Sequence, residues 1–240
     1  MNLIIDIGNS RVKVAVVESG RVVAEFVATK LEELPLREIA DKYNVERSIL
    51  SSTRADGFES ARYVESVVGH CLHFDSSVAV PISIEYRTPH TLGRDRVAAA
   101  VGAVAEHADR NIMIVDFGTA ITIDFVSSSG AYLGGFISPG VATRLRALHE
   151  FTSSLPLCSP CEPTLGIATS TDEAISWGVM NGVKFEIEGY IDQYSKKMCN
   201  LFTIFSGGDS IFFDKQIKNA IFADRDLVIK GLDRILDYNA

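Results

Sequence analysis

The chain repeats itself. Near its start it reads NLIIDIGNS, an apolar run closed by Asp6-Ile-Gly8, and from Asn111 it reads NIMIVDFGTA, an apolar run closed by Asp116-Phe-Gly118. Each copy continues with an alternating stretch (Val12–Val17; Ile121–Val126), a Ser-Gly turn (Ser19-Gly20; Ser129-Gly130) and a third apolar run (Val22–Val27; Ala131–Phe136). Asp116 stands 110 residues after Asp6, close to half of the 240-residue chain. Period-two apolar alternation bounded by glycine turns specifies strands. Each half therefore opens on strand, Asp-x-Gly turn, strand, Ser-Gly turn, strand.

After each block the pattern turns mixed. Helices are expected at Leu34–Tyr43, Phe58–Val68, Gly93–Ala108, Gly140–Phe151, Thr171–Met198, Phe212–Asn219 and Val228–Tyr238. Strands are expected at Ser48–Ser51, Cys71–Phe74 and Leu201–Phe205, with Pro81–Tyr86 extended. Strands and helices in this order make an α/β protein of two similar lobes with mixed sheets flanked by helices and a cleft between them. No linker tract separates residues 1–110 from 111–240, so the boundary reads as a hinge.

Composition narrows the function. The 47% hydrophobic content suits a packed core, and 23 Lys and Arg against 31 Asp and Glu leave a net charge of −8. Phosphate-backbone binding needs basic residues gathered on a face, so nucleic acid is not expected as a partner, nor is an anionic membrane. The longest apolar runs fall well short of the roughly 20 residues that span a bilayer, and the first residues lack the pattern of a signal peptide. Four cysteines are too few to staple the chain. Cys158 and Cys161 form one C-x-x-C without the further ligands of a zinc set. A cytoplasmic protein with reduced thiols is expected.

The chemistry gathers at the two Asp-x-Gly turns. A strand-end carboxylate can hold a cation, and glycine lets backbone N–H groups approach phosphate oxygens. Asn9, Ser10, Thr119 and Thr122 add short polar donors and Lys13 a charge. One such turn is ordinary; two in matching contexts point to a pair of phosphate loops. The P-loop and dinucleotide fingerprints are both missing.

Taken together, Asp6-x-Gly-Asn-Ser-x-x-Lys13, Gly93-Arg-Asp-Arg96, Asp116-x-Gly-Thr-Ala120 and Gly134-Gly-x-Ile-x-Pro-Gly140 resemble the type III pantothenate kinases, over essentially the whole chain. These belong to the acetate and sugar kinase, Hsp70 and actin superfamily. The first motif ends Asn-Ser10 where Asn-Thr is usual, which keeps the hydroxyl. The resemblance implies ribonuclease H-like lobes and ATP-dependent phosphorylation of pantothenate, the first step of coenzyme A synthesis. It implies ATP contacts along Asp6, Ile7, Gly8, Asn9, Ser10, Arg11, Val12 and Lys13, and at Thr119. Asp116 would hold a monovalent cation, K⁺ or NH₄⁺, besides the Mg²⁺ that accompanies ATP. Tyr86, Gly93, Arg94, Asp95, Arg96 and Thr171 would bind pantothenate, with Asp95 as proton acceptor. Ser206-Gly-Gly-Asp209 matches the superfamily's adenosine-side loop. The family also implies a homodimer, to which the stripe Ile175, Val179, Val183 and Ile187 would contribute unless it is core.

Local readings compete at several of these positions. Asp95-Arg96 equally suits a helix-start charge pair, Tyr86 a strand residue, and Thr171 an N-cap. A non-catalytic nucleotide-binding regulatory relative, or another small-molecule kinase of the superfamily, is the alternative function.

Overall fold

A computed structural model describes residues 1–217 and 222–240. The chain forms two compact units: Met1–Asp109 with Ser129–Leu133 and Asp226–Ala240, and Arg110–Ser128 with Gly134–Arg225.

In the first unit β1 (Asn2–Ile7), β2 (Val12–Glu18), β3 (Arg21–Ala28), β4 (Arg47–Ser52) and β5 (Cys71–His73) form a sheet in the order β3-β2-β1-β4-β5. β1 is antiparallel to β2 and parallel to β4. Ser19 and Gly20 both adopt positive φ, 51° and 76°, as the tight turn of a two-residue hairpin requires. Alternate residues Leu3, Ile5, Ile7, Val12, Val14 and Val16 pack with Leu36 and Ile39 of α1 (Leu36–Lys42) and Ala61 and Val64 of α2 (Gly57–Val68). Ile4 and Ala15 are buried too, as expected where both faces of a sheet are covered.

The first unit also holds α3 (Arg94–Glu106) and α6 (Leu227–Tyr238). These helices approach backbone to backbone. A Cβ on Gly231 would lie 1.8 Å from the Ala98 carbonyl oxygen, and one on Gly102 would lie 2.3 Å from that of Leu227. The small alanines of α3 let α6 settle closely. The chain therefore does not divide at one point near residue 110. The terminal helix, expected in a lobe of residues 111–240, joins the first unit because its Leu227, Ile229, Leu232, Ile235 and Leu236 are buried there.

In the second unit β7 (Ile112–Phe117), β8 (Ala120–Val126), the part of β9 (Ala131–Pro139) from Gly134 on, β10 (Phe202–Ser206) and β11 (Phe222–Ala223) follow the order β11-β10-β7-β8-β9. β7 is antiparallel to β8 and parallel to β10. Strand for strand this is the first sheet again, so the sequence echo is an echo of topology. The short β6 (Ser83–Ile84) runs parallel to the first residues of β9. α4 (Val141–Glu150) and the long α5 (Thr171–Ser195) bury Val141, Leu145, Ile175, Val179, Val183 and Ile187 against Met113, Val115, Phe117 and Phe205. The apolar stripe of α5 is thus core. The segment expected as a helix at Phe212–Asn219 is different: a 3₁₀ turn covers Gly208–Phe212, and residues 218 and 219 lie outside the described residues. Cys158 and Cys161 pack against this core as free thiols. Among the described residues no helix is long and apolar enough to cross a membrane.

One buried carboxyl links α6 to β1. The Asn2 side-chain amide donates to Asp233 at 2.8 Å, and Arg47 pairs with Asp237 at 2.6 Å. Burial, reinforced by the charge of Asp237, raises the Asp233 pKa against the opposing pull of Asn2 and Arg47. The folded state therefore favours the protonated form, and ionising Asp233 erodes stability as pH climbs from the ordinary carboxylate value of 3.8 through the raised one. Asp233→Asn keeps an acceptor for Asn2 and removes the ionisation. Thermal unfolding should find this variant more stable than the wild type at pH 7, with the gain closing below about pH 4. Gly231→Ala should destabilise by about 1–3 kcal/mol in denaturant unfolding.

Candidate active site

The first Asp-x-Gly turn lies at the carboxyl end of β1. Asp6 pairs with Lys13 and Ile7 with Val12 in the β1–β2 register, and Gly8 N–H closes the turn on the Arg11 carbonyl at 2.9 Å. Asn9, Ser10 and Arg11 are exposed and Asp6 is half-buried. Lys13 departs from expectation. Its ammonium lies 2.9 Å from Asp226 and 3.4 Å from Glu25. Burial alone would lower its pKa, but the hydrogen bond and charge of Asp226, aided by Glu25, raise it overall. Two carboxylates thus offset the charge that the sequence seemed to offer to phosphate. Glu25 is twelve residues away and Asp226 is at the head of α6, so spacing along the chain gave no sign of either.

The second turn, one residue shorter, lies at the end of β7, where Phe117 pairs with Ile121. Gly118 N–H donates to the Ala120 carbonyl at 3.2 Å. Two other segments press on it. Gly207, at φ 86°, would place a Cβ 2.5 Å from the Phe117 carbonyl oxygen, so the Gly207-Gly208 turn lies directly on the backbone after Asp116. Gly140 would place one 2.1 Å from the Gly118 carbonyl oxygen. The Thr119 carbonyl accepts from Gly140 N–H at 3.0 Å and from the Thr143 hydroxyl at 2.7 Å. Arg144 in turn donates to the Pro139 carbonyl at 2.7 Å and to the Ser138 hydroxyl at 3.1 Å, and pairs with Glu186 of α5. The Gly134–Gly140 motif therefore works by close approach: its last glycine docks the head of α4 on the turn that presents Thr119. A Cβ on Gly118 would stand 3.4 Å from the Asp116 Oδ2, so the turn backbone passes close to that carboxylate.

Four of the five expected acceptor-binding residues of the first unit, Gly93 to Arg96, form the head of α3. Gly93 occupies the N-cap position, and a Cβ there would come within 2.5 Å of the Asp95 Oδ1. That oxygen accepts the Arg96 backbone N–H at 2.8 Å, which fixes the rotamer of a half-buried carboxylate. Negative charge in a first helical turn also suits the helix dipole. Arg94 does not turn to Asp95. It folds back to donate to the carbonyls of Pro89 (2.9 Å) and Leu92 (2.8 Å), with its guanidinium 5.8 Å from the centre of the Phe74 ring. Burial lowers its pKa, against the charges of Asp75 and Asp95. Arg94 thus braces the turn that leads into α3. Arg96 is only 6% exposed. Tyr86 is half-buried and meets Tyr132 edge-on at 6.1 Å between ring centres.

In the second unit Thr171 is the first residue of α5, and it is exposed. The cap is Ser170, whose hydroxyl accepts Glu173 N–H at 3.3 Å while Glu173 reaches back to Thr169 N–H at 2.9 Å. This reciprocal arrangement satisfies the helix start without Thr171, so the N-cap reading of Thr171 gives way. Among the described residues no group of three or more His, Cys, Asp or Glu side chains is placed to hold a metal.

Twin mixed α/β sheets, each with an Asp-x-Gly turn at the end of its first strand, define the fold. Solved structures agree on the fold. A Baf family protein from Campylobacter jejuni, described as a transcriptional activator, superposes with a TM-score of 0.66 at 22% identity, covering 99% of this chain and 98% of that one. A ROK family glucokinase from Streptomyces griseus gives 0.56 at 13% identity, covering 99% and 98%. Sequence comparison is more specific. The type III pantothenate kinase family profile matches residues 2–193. The chain is 42% identical to a type III pantothenate kinase of Azobacteroides pseudotrichonymphae, covering 99% of this chain and 97% of the relative. It is 39% identical to one of Phocaeicola vulgatus, covering 100% and 99%. The chain belongs to the type III pantothenate kinase family.

If the Gly140 contact sets the Thr119 turn, Gly140→Ala should raise the KM for ATP at least about tenfold, since displacements near 1 Å are costly at reacting centres. Steady-state kinetics with varied ATP check this, and a KM unchanged within twofold would speak against it.

Proposed function

We propose that this chain transfers the γ-phosphoryl group of ATP to the primary hydroxyl of pantothenate, forming 4′-phosphopantothenate, with Asp95 as the proton acceptor. The observation that carries the reading is the intact Gly93-Arg-Asp-Arg96 helix start within the matched residues 2–193. Phosphoryl transfer asks little covalent chemistry of a protein. It asks for an aligned hydroxyl, a place for its proton and neutralisation of the phosphate charge. The Asp95 carboxylate is held at one oxygen by Arg96 N–H, and it accepts the hydrogen bond that orients the hydroxyl, then takes the proton late in the transfer. Gly93, Arg94, Arg96, Tyr86 and Thr171 bind pantothenate, Arg94 by bracing the approach to α3.

Asp6 to Lys13 and Thr119 serve the ATP phosphates through backbone N–H groups and short hydroxyls. Lys13 lends less charge than its position implies, because Asp226 and Glu25 already claim it. The nucleotide enters with Mg²⁺. Asp116 holds the monovalent cation, K⁺ or NH₄⁺, because a carboxylate at the end of a buried strand beside the turn suits a hard cation. The bound cation would supply charge neutralisation beside the phosphates. The working form is a homodimer, supported by the exposed Phe136 and Ile137 of β9 and Phe185 of α5. The reducing cytoplasm suits its four free cysteines.

An ADP-release assay with pantothenate, N-acetylglucosamine and acetate, each in potassium-only and sodium-only buffer, tests the reading. Turnover is expected with pantothenate alone and only with potassium. Asp95→Asn should lower kcat by about 10²–10⁴-fold with ATP binding little changed. A folded variant that keeps more than about a tenth of wild-type kcat would displace Asp95 from this role.

A further inference from the structure

The first phosphate turn is held from outside by a residue that no motif contains. Parallel pairing sets Asp6 beside Ser51 and Ile7 beside Ser52, so the two residues that follow β4 arrive next to Gly8. Thr53 N–H and the Thr53 hydroxyl both donate to the Ile7 carbonyl, at 3.0 and 3.2 Å. Arg54 Nε–H donates to the Gly8 carbonyl at 2.9 Å, and its Nη2 donates to the Thr29 carbonyl, just past β3, at 3.2 Å. Its own N–H donates to the Ser52 hydroxyl at 3.0 Å. One guanidinium thus ties the end of β1 to the end of β3, on either side of the Gly8–Arg11 turn.

Peptide planarity gives these bonds a consequence. In a trans peptide the C=O and the following N–H point in opposite directions. Fixing the Gly8 carbonyl on Arg54 fixes the Asn9 N–H on the other side of that plane. Fixing the Ile7 carbonyl on Thr53 does the same for Gly8 N–H, which closes the turn on Arg11. Gly8 has a conformational freedom that other residues lack, so without these anchors the Gly8–Asn9 plane would be the easiest in the turn to rotate. The planar fork of arginine suits two carbonyls at fixed separation, and a lysine ammonium reaches one without fixing a plane.

We propose that Arg54 is a positioning residue for nucleotide: it orients the Gly8–Asn9 peptide so that the Asn9 N–H is presented to a phosphate oxygen. The inference rests on the assignment of the Asp6–Lys13 turn to ATP phosphates and deepens it. It asks nothing of pantothenate.

The test compares wild type, Arg54→Ala, Arg54→Lys and, as an exposed-surface control, Arg62→Ala. Mg²⁺–ATP binding is measured by calorimetry without pantothenate, followed by KM for each substrate and the thermal midpoint. Arg54→Ala should weaken ATP binding and raise the ATP KM by about 10- to 100-fold, the range for losing hydrogen bonds from a charged group. The pantothenate KM should stay within about twofold, below the range of one such bond. Arg54→Lys should recover only part of the loss, and millimolar guanidinium should partly restore Arg54→Ala. Should Arg54→Ala unfold, Arg54→Lys carries the test alone through the same split between the two KM values. ATP affinity within twofold of wild type in the folded variants, or equal rises in both KM values, would overturn the proposal. If the wild type binds ATP but does not phosphorylate pantothenate, the proposed function fails while the Arg54 measurement still stands. If pantothenate is phosphorylated and Arg54→Ala binds ATP normally, only the Arg54 inference fails.

Discussion

Parallel pairing between a first strand and a fourth, β1 with β4 and β7 with β10, is the constraint on which both Asp-x-Gly turns depend. Neighbouring strands that run the same way bring their carboxyl ends to one edge, where open α/β sheets place their ligands. In the first unit that edge brings Thr53 and Arg54 beside Ile7 and Gly8. In the second, Ser206 pairs with Asp116 and carries Gly207 onto the Phe117 backbone. The two turns share strand register and differ in means: hydrogen bonds from Thr53 and Arg54 hold the first, while close glycine contacts join hydrogen bonds to the Thr119 carbonyl at the second.

Electrostatics is arranged with similar economy. The chain is acidic overall, and its expected cations near the sites are already engaged. Lys13 answers to Asp226 and Glu25, and Arg94 to the carbonyls of Pro89 and Leu92. Anion recognition at such turns then falls chiefly to oriented N–H groups, whose partial charges cost no side-chain ordering once the backbone is set.

The strands and turns could be read in the sequence because their signals are local. Alternating apolar residues, Ser19-Gly20 and the two Asp-x-Gly steps each act within a few residues, and each was matched by an element close to the expected bounds. The Gly93–Arg96 helix start was legible for the same reason. What escaped was non-local. The home of α6 depends on Gly102 and Gly231 meeting across more than a hundred residues. The pairing of Lys13 depends on strand register and on that same helix. Arg54 sits in Ser51-Ser-Thr-Arg-Ala-Asp56, a string with no periodicity, and acquires its role only through the β1–β4 register. Thr171 lost its capping role because Ser170 with Glu173 met the same requirement one residue earlier.

The first unit is closed by the last helix of the chain, and this bears on how the protein is made. Synthesis proceeds from the amino end, so β1 through α3 leave the ribosome long before Leu227–Tyr238 exist to cover them. Until the final residues emerge, the α3 surface around Gly102 and the partners of Leu232 and Ile235 stay exposed to water and to chaperones. The second unit, which runs from Gly134 to Arg225 apart from its first two strands, has all its residues before α6 is translated. Order of completion is thus the reverse of order of synthesis. A chain without α6 forfeits the seal on its first unit rather than an appendage of its second.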